Sequence, residues 1–214
     1  MVKIGASVLA ADFIRLGEEI GRVRRSGADR LHVDVMDGHL VHDIAFGVNN
    51  VKAVCRAAGL PVEAHLMVAH PERFALRMIE AGANIVTLQL EPCLQIYKTI
   101  SDIKSAGAKA FVALEPTTPL KLLEELYPVA DGVLLVTVAL GIGGQQIIPS
   151  MFDKISRLGR LKKDGGYGFE IGVDGGVTPE NAGRIRECGA DYMVGGTMMF
   201  ASPDMEETVR RLKK

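Results

Sequence analysis

The sequence is poor in the features that mark secreted, membrane-embedded and nucleic-acid-binding proteins. It has three cysteines in 214 residues, scattered and without CxxC spacing, which fits reduced thiols in a cytoplasm. No stretch approaches the roughly 18 apolar residues of a membrane span. The opening residues MVKIGASVLAADF lack the basic and apolar regions of a signal peptide. The net charge is -1 without basic or acidic blocks, so we expect neither a nucleic-acid nor a membrane partner.

Strand-like and helix-like segments instead alternate along the whole chain. The predicted strands are near-continuous β-branched runs such as NIVTLQL and GVLLVTV, which are typical of a parallel sheet covered on both faces. The pattern also predicts a helix over 119–127 and a last strand over 192–199. No linker divides the chain. We therefore predict an α/β fold, a single (β/α)8 TIM barrel domain spanning residues 1–214. A doubly wound sheet is the alternative, but SVLAADF carries no GxGxxG phosphate turn.

Polar side chains fall where predicted strands run out. In LHVDVMDGHL, His32 and Asp34 are two residues apart and so share one face of a strand. His65 lies near the end of the next strand, and Asp174 closes the seventh. Catalytic groups of a TIM barrel sit at these carboxyl ends. Two imidazoles and two carboxylates suit zinc, iron(II), manganese or cobalt. Each residue alone also fits a structural role, such as a helix N-cap for Asp174, and spacing leaves both interpretations open.

Three glycine-rich turns follow the last three predicted strands. They are GIGGQ at 141–145, DGG at 174–176 and GGT at 195–197. Loops in these places commonly form the phosphate site of such barrels. Glycines allow backbone N–H groups to point at a single anion. The turns predict a phosphomonoester ligand held mainly by main-chain amides.

These motifs resemble those of the ribulose-phosphate 3-epimerase family over essentially the whole chain. The resemblance is carried by SVLAADF, HVDVMDGHLV, HLMVAHP, GIGGQ, VDGGV and VGGTMMF. It implies one divalent metal ion bound by His32, Asp34, His65 and Asp174, with Asp34 and Asp174 as the acid/base pair. It also implies substrate contacts, which are Ser7, Met36, Met67, Gly141, Ile142, Gly143, Gly144, Gly175, Gly176, Gly196 and Thr197.

The resemblance further implies the activity. The expected reaction inverts carbon 3 of a ketose phosphate, by default D-ribulose 5-phosphate to D-xylulose 5-phosphate, through an enediolate stabilised by the metal. Two carboxylates on opposite faces of that flat intermediate would exchange the proton. Family members are usually oligomers, so we expect a homo-oligomer acting on a small phosphorylated sugar in the cytoplasm.

Several positions depart from the family pattern and leave alternatives open. The departures lie at 42–43, at Gln89, at Glu115 and at 136–140. One alternative is the same chemistry on a ketohexose 6-phosphate such as D-allulose 6-phosphate. Another is a non-catalytic barrel that only binds a sugar phosphate. A third is a lyase of the orotidine-monophosphate decarboxylase group, which uses an Asp-x-Lys-x-x-Asp motif that this chain lacks, since Met36 occupies the lysine position.

Overall fold

A closed ring of eight parallel strands forms the centre of the molecule. The computed structural model describes all residues, 1–214. The strands are β1 Lys3–Ser7, β2 Arg30–Asp37, β3 Val62–Met67, β4 Ile85–Gln89, β5 Lys109–Leu114, β6 Gly132–Val136, β7 Glu170–Asp174 and β8 Tyr192–Gly195. Each strand pairs with the next, and β1 pairs with both β2 and β8, which closes the ring. A further two-residue strand, Ile44–Ala45, pairs antiparallel with the end of β2. The predicted TIM barrel is confirmed.

Helices cover the outside of this ring. They are α1 Leu16–Arg25, α2 Val48–Ala58, α3 Ala75–Glu80, α4 Ile96–Ser105, α5 Met151–Asp164, α6 Pro179–Glu187, α7 Thr197–Phe200 and α8 Met205–Lys213. Their apolar stripes pack on the strands, as Ile20 and Val23 of α1 do. Helix α6 begins at Pro179 after a capping box between Thr178 and Asn181. No helix has both the length and the apolar character to cross a membrane.

Two predicted elements were wrong in kind. The segment 119–127 forms only a short 3-10 helix, Leu120–Leu123, in which the buried Leu120 and Leu123 repeat at the three-residue period of that helix. The predicted strand over 192–199 ends at Gly195, and α7 then begins at Thr197. The side chain of Met199 folds back over Gly195, where a Cβ atom would lie 2.3 Å from the Met199 sulfur.

The lower half of the barrel interior is filled by two aromatic rings. Phe111 lies against Gly132, where a Cβ atom would come within 2.5 Å of the ring. Tyr192 lies between Gly5 and Gly172, and a Cβ atom at either glycine would come within 2.7 Å of it. These rings are fully buried. A buried ion pair between Arg30 and Glu63 lies beside them, with the guanidinium of Arg30 over both rings.

Candidate active site

Four side chains meet at the carboxyl ends of the strands. His32 and Asp34 extend from β2, His65 from β3 and Asp174 from the end of β7. Asp34 and His65 are direct register partners. One nitrogen or oxygen from each residue lies within 4.8 Å of those from the other three. The structure thus brings together all four residues that the sequence predicted as metal ligands.

The two histidines present different nitrogens to this cluster. Nε2 of His32 lies 3.0 Å from Oδ1 of Asp34 and 3.7 Å from Oδ2 of Asp174. Nδ1 of His65 lies 3.4 Å from Oδ1 of Asp34 and 3.9 Å from Oδ2 of Asp174. Both imidazoles are fully buried. Two nitrogens and two carboxylate oxygens consequently face a common centre.

The surroundings of the two carboxyl groups give them very different pKa values. Burial alone would raise the pKa of Asp34, but the imidazoles of His32 and His65 outweigh burial and hold that pKa far below its usual range. Burial raises the pKa of Asp174 to about 6; His32 opposes this rise and the Asp34 carboxylate adds to it. A pair of carboxyl groups with separated pKa values can divide the roles of base and acid.

The donor set fits a divalent metal ion. Nδ1 of His65 is buried and has no hydrogen-bond partner, which is costly for a polar atom unless something else binds it. Nitrogen and carboxylate oxygen donors in this combination are ligands of zinc and of neighbouring transition metals. The cluster can therefore hold one divalent cation.

A cavity of about 700 Å³ opens directly above the cluster. Its wall includes Asp34 and Asp174 and every residue predicted to contact substrate, which are Ser7, Met36, Met67, Gly141, Ile142, Gly143, Gly144, Gly175, Gly176, Gly196 and Thr197. The structure gathers these residues around one space. Their contacts with a ligand stay predictions.

The glycine-rich turns offer unpaired donors to this cavity. The backbone N–H groups of Gly143, Gly144, Gly175 and Gly176 take part in no hydrogen bond within the protein. Gly176 has φ of +68°, and a Cβ atom there would lie 2.3 Å from the backbone nitrogen of Ile147. Only glycine fits such a position. These donors suit an anion such as a phosphate.

Two methionines line the apolar side of the cavity. Met36 and Met67 are register partners on β2 and β3 and pack with Val41 in a small buried group separate from the main core. They add no titratable group beside the two aspartates. Their contact with a substrate stays a prediction.

The sequence analysis assigned no site role to several residues around the site and named some of them, Gln89 and the segment 136–140, only as departures from the family pattern. Val138 and Leu140, in the divergent segment, line the cavity. Glu63, Gln89 and Tyr192 surround the two histidines. The two-residue alternation of Glu63, His65 and Met67 along β3 was a usable signal for Glu63, because alternate strand residues share a face. Nothing local in the sequence indicated Tyr192.

Comparison with known proteins places these features in a family. The model of the ribulose-phosphate 3 epimerase family matches residues 3–200. The ribulose-phosphate 3-epimerase of Bacillus subtilis strain 168 is 39% identical over 214 residues, covering 100% of this chain and 99% of the relative. That of Methanocaldococcus jannaschii is 40% identical over 214 residues, covering 100% of this chain and 91% of the relative.

The fold is shared more widely. A crystal structure of 3-hexulose-6-phosphate synthase from Salmonella typhimurium superposes with a TM-score of 0.74 at 19% identity, covering 99% of this chain and 96% of that one. Identity this low shows the barrel alone.

Proposed function

Because the chain belongs to the ribulose-phosphate 3-epimerase family, we propose that it inverts carbon 3 of a phosphorylated ketose, with D-ribulose 5-phosphate and D-xylulose 5-phosphate as the interconverted pair. The observation that carries this proposal is the meeting of Asp34 and Asp174 with His32 and His65 beneath a cavity lined by glycine turns. Full-length relatives named for this activity favour it over the ketohexose and non-catalytic alternatives.

The hydrogen on carbon 3 is too weakly acidic for a carboxylate to remove without help. A divalent cation held by His32, Asp34, His65 and Asp174 would supply Lewis-acid stabilisation of the negative charge that develops on the neighbouring substrate oxygens. Zinc, iron(II), manganese and cobalt all suit these donors, and we propose one such ion as the cofactor.

The two aspartates then perform the proton transfers. The ionised Asp34 takes the proton from carbon 3 as the C–H bond breaks, and the electron pair moves toward the adjacent carbonyl. Asp174, acting as the acid, delivers a proton to the opposite face of the same carbon. Strands β2 and β7 are separated in the ring by β1 and β8, so the carboxyl groups approach from different sides. In the reverse direction their roles exchange.

Substrate orientation comes from the far end of the cavity. The free N–H groups around Gly143, Gly144, Gly175 and Gly176 would bind the phosphate and fix which face of carbon 3 each aspartate meets. Binding energy spent away from the reacting carbon in this way lowers the cost of alignment. The three cysteines are unpaired, which supports a reducing location such as the cytoplasm. A homo-oligomer is proposed from the family resemblance alone.

The proposal is tested by proton exchange. The protein is loaded with zinc, manganese, iron(II) or cobalt in heavy water and given D-ribulose 5-phosphate or, separately, D-allulose 6-phosphate, and NMR follows deuterium at carbon 3. We expect labelled D-xylulose 5-phosphate, its loss in Asp174→Asn, and near-normal turnover in Asp164→Asn, which changes an exposed carboxylate outside the cavity. Exchange with D-allulose 6-phosphate alone would reassign the substrate. No exchange with either sugar in folded, metal-loaded protein would refute the activity.

A further inference from the structure

The two histidines of the cluster are each held on the side that faces away from it. Nε2 of His65 lies 3.1 Å from Oε1 of Gln89, and Nδ1 of His32 lies 3.1 Å from the hydroxyl of Tyr192. All four side chains are fully buried. A neutral imidazole carries one N–H, and the hydrogen-bond partner of one nitrogen decides whether the other has a free lone pair. Gln89 and Tyr192 are therefore placed to decide which nitrogen faces the aspartates.

The direction of the hydrogen bonds around Gln89 is set by Glu91. The amide nitrogen of Gln89 donates to Oε2 of Glu91 over 2.7 Å. The other oxygen of Glu91 accepts from the backbone N–H of Glu115, over 2.9 Å, and from the hydroxyl of Thr118. An ionised carboxylate can only accept, so the NH₂ group of Gln89 must face Glu91 and its oxygen must face His65. His65 then donates from Nε2, which leaves the lone pair of Nδ1 directed at the cluster.

A second set of hydrogen bonds fixes His32 in the opposite tautomer, with the hydrogen on Nδ1. The hydroxyl of Tyr192 donates to Oε2 of Glu63 over 2.6 Å, and Thr87 donates to the other oxygen of Glu63 over 2.6 Å. With its only hydrogen committed, Tyr192 can only accept from Nδ1 of His32. Nε2 is then the nitrogen whose lone pair a metal ion at the cluster can bind.

The ring of Tyr192 has no freedom to leave this position. The guanidinium carbon of Arg30 lies 3.8 Å above the centre of the ring. Gly5 and Gly172 contact its edges so closely that neither could carry a Cβ atom. The hydroxyl is thus fixed by packing as well as by hydrogen bonding.

We propose that Gln89 and Tyr192 are positioning residues of the metal centre, which hold His65 and His32 in opposite tautomers so that Nδ1 of the first and Nε2 of the second bind the ion. Glu91 and Glu63 set the direction of each hydrogen-bond chain. This inference rests on the metal site of the proposed function. Partners of this kind change metal affinity by about 10- to 100-fold when they are removed from other metal sites.

The hydrogen bonds that run from Glu91 through Gln89 to His65 are tested by exchanging the carboxylate and the amide between positions 89 and 91. Zinc affinity is measured by competition with a chromophoric chelator. We expect Gln89→Met, which keeps the volume and removes the hydrogen bonds, to weaken zinc binding by about 10- to 100-fold. The double variant Gln89→Glu with Glu91→Gln restores an acceptor for His65 and a donor to that acceptor. We expect its zinc affinity to lie within about threefold of the unaltered protein.

Tyr192→Phe tests the other chain against a matched control. Tyr127→Phe makes the same change at a buried hydroxyl that donates to the carbonyl of Leu120 over 3.0 Å, away from the cluster. We expect Tyr192→Phe to weaken zinc binding by about tenfold and Tyr127→Phe to leave it unchanged. Oε2 of Glu63 lies 3.4 Å from Nδ1 of His32 and would partly replace the tyrosine hydroxyl as hydrogen-bond acceptor. We therefore expect a smaller loss of zinc affinity in Tyr192→Phe than in Gln89→Met.

Nitrogen-15 NMR of the zinc-loaded, unaltered protein tests the tautomers without any variant. We expect a hydrogen on Nε2 of His65 and on Nδ1 of His32, with zinc on the other nitrogen of each. The reverse pattern, or unchanged zinc affinity in Gln89→Met and Tyr192→Phe, would overturn the inference while leaving the epimerase proposal intact. Failure of the unaltered protein to bind zinc, manganese, iron(II) or cobalt would overturn the metal site itself and this inference with it.

Discussion

The hydroxyl of Ser7 donates a hydrogen bond of 2.7 Å to Oδ2 of Asp34, and both side chains are buried. The other carboxylate oxygen of Asp34, Oδ1, faces the cluster. The hydrogen bond from Ser7 therefore fixes the rotation of the carboxylate about its Cβ–Cγ bond. The donation also leaves the lone pairs of the Ser7 oxygen available to a substrate hydroxyl. One residue thus links the acid/base group to the cavity wall.

Ser7→Ala should therefore lower kcat/KM by about tenfold to a hundredfold, because a hydrogen bond to a charged group contributes roughly 1.5–3 kcal/mol. The measurement is steady-state epimerisation with saturating metal. Ser26→Ala is the matched control, since Ser26 is also buried and its hydroxyl donates to the carbonyl of Val23 over 2.8 Å far from the cavity. Equal effects of the two substitutions would contradict an orienting role for Ser7.

Asp174→Asn should stabilise the metal-free protein near pH 7.5 while abolishing turnover. Burial raises the pKa of Asp174 to about 6, above its ordinary value, so the folded state binds a proton more tightly than the unfolded chain does. Stability from this group is therefore lost as the pH rises from about 4 to 6. Removing the charge should recover about 1–3 kcal/mol at pH 7.5 and much less at pH 4. Urea denaturation in the presence of a chelator measures both values.

Asp37→Asn provides the control of opposite sign. Although burial would raise the pKa of Asp37, backbone N–H groups of Ala69, His39 and Leu40 donate to its carboxylate and hold that pKa below its usual value. Its contribution to stability is present at neutral pH and is lost as the pH falls. We expect Asp37→Asn to destabilise the protein at pH 7.5. A stabilising effect there, or a destabilising effect of Asp174→Asn, would contradict the electrostatic account.

Gly176→Ala should both destabilise the protein and raise KM for the sugar phosphate. The added methyl group would meet the backbone at Ile147, and φ of +68° is strained for alanine. A loss of about 1–3 kcal/mol is expected, with displacement of N–H groups offered to the phosphate. Gly168→Ala is the comparison, because a Cβ atom there contacts nothing and φ is not positive. An unchanged KM in folded Gly176→Ala would argue against a phosphate at this turn.

Arg30→Met should destabilise the protein by about 3–5 kcal/mol, the usual cost of leaving a buried charge unpaired. Arg30 is the guanidinium that faces Glu63, at 3.5 Å, and it also pairs with Glu170 at 2.7 Å. Glu170 keeps Lys3 as a second partner, whereas Glu63 would lose its only guanidinium partner and keep the hydrogen bonds from Tyr192 and Thr87. Adding Glu63→Gln should recover part of the loss, as measured by urea denaturation. A double variant no more stable than Arg30→Met would refute the pairing.

The barrel and the four-residue cluster could be predicted from sequence for a shared reason. Eight β-branched runs separated by amphipathic segments leave few topologies, and a parallel barrel brings the ends of its strands to one edge. Asp174 ends β7 and His65 lies two residues before the end of β3. On the longer strand β2, Asp34 is the register partner of His65, and His32 is level with Ser7, the last residue of β1. Their proximity follows from position along the strand and needs no knowledge of side-chain packing.

The residues that hold the histidines could not be found in this way. Tyr192 lies at the start of β8 and reaches His32 on β2 across the barrel interior. That contact exists because Gly5 and Gly172 leave room for the ring. The segment 119–127 shows the same limit, since Leu120, Leu123 and Tyr127 have helical spacing but form a 3-10 helix and turns. Packing between distant elements, rather than local preference, decides both cases.

Tyr192 fits so closely between Gly5 and Gly172 that the order in which positions 172 and 192 are substituted matters for the evolution of this protein. These residues form the floor of the barrel, the closed end of its interior. A larger residue at 172 is excluded while the tyrosine is present, yet replacing the tyrosine first removes the hydroxyl that faces His32. Each order of substitution therefore passes through an intermediate that we expect to be either destabilised or impaired in metal binding. A scan of single substitutions would score both positions as intolerant, whereas a library that varies them together would find the combinations that neither change permits alone.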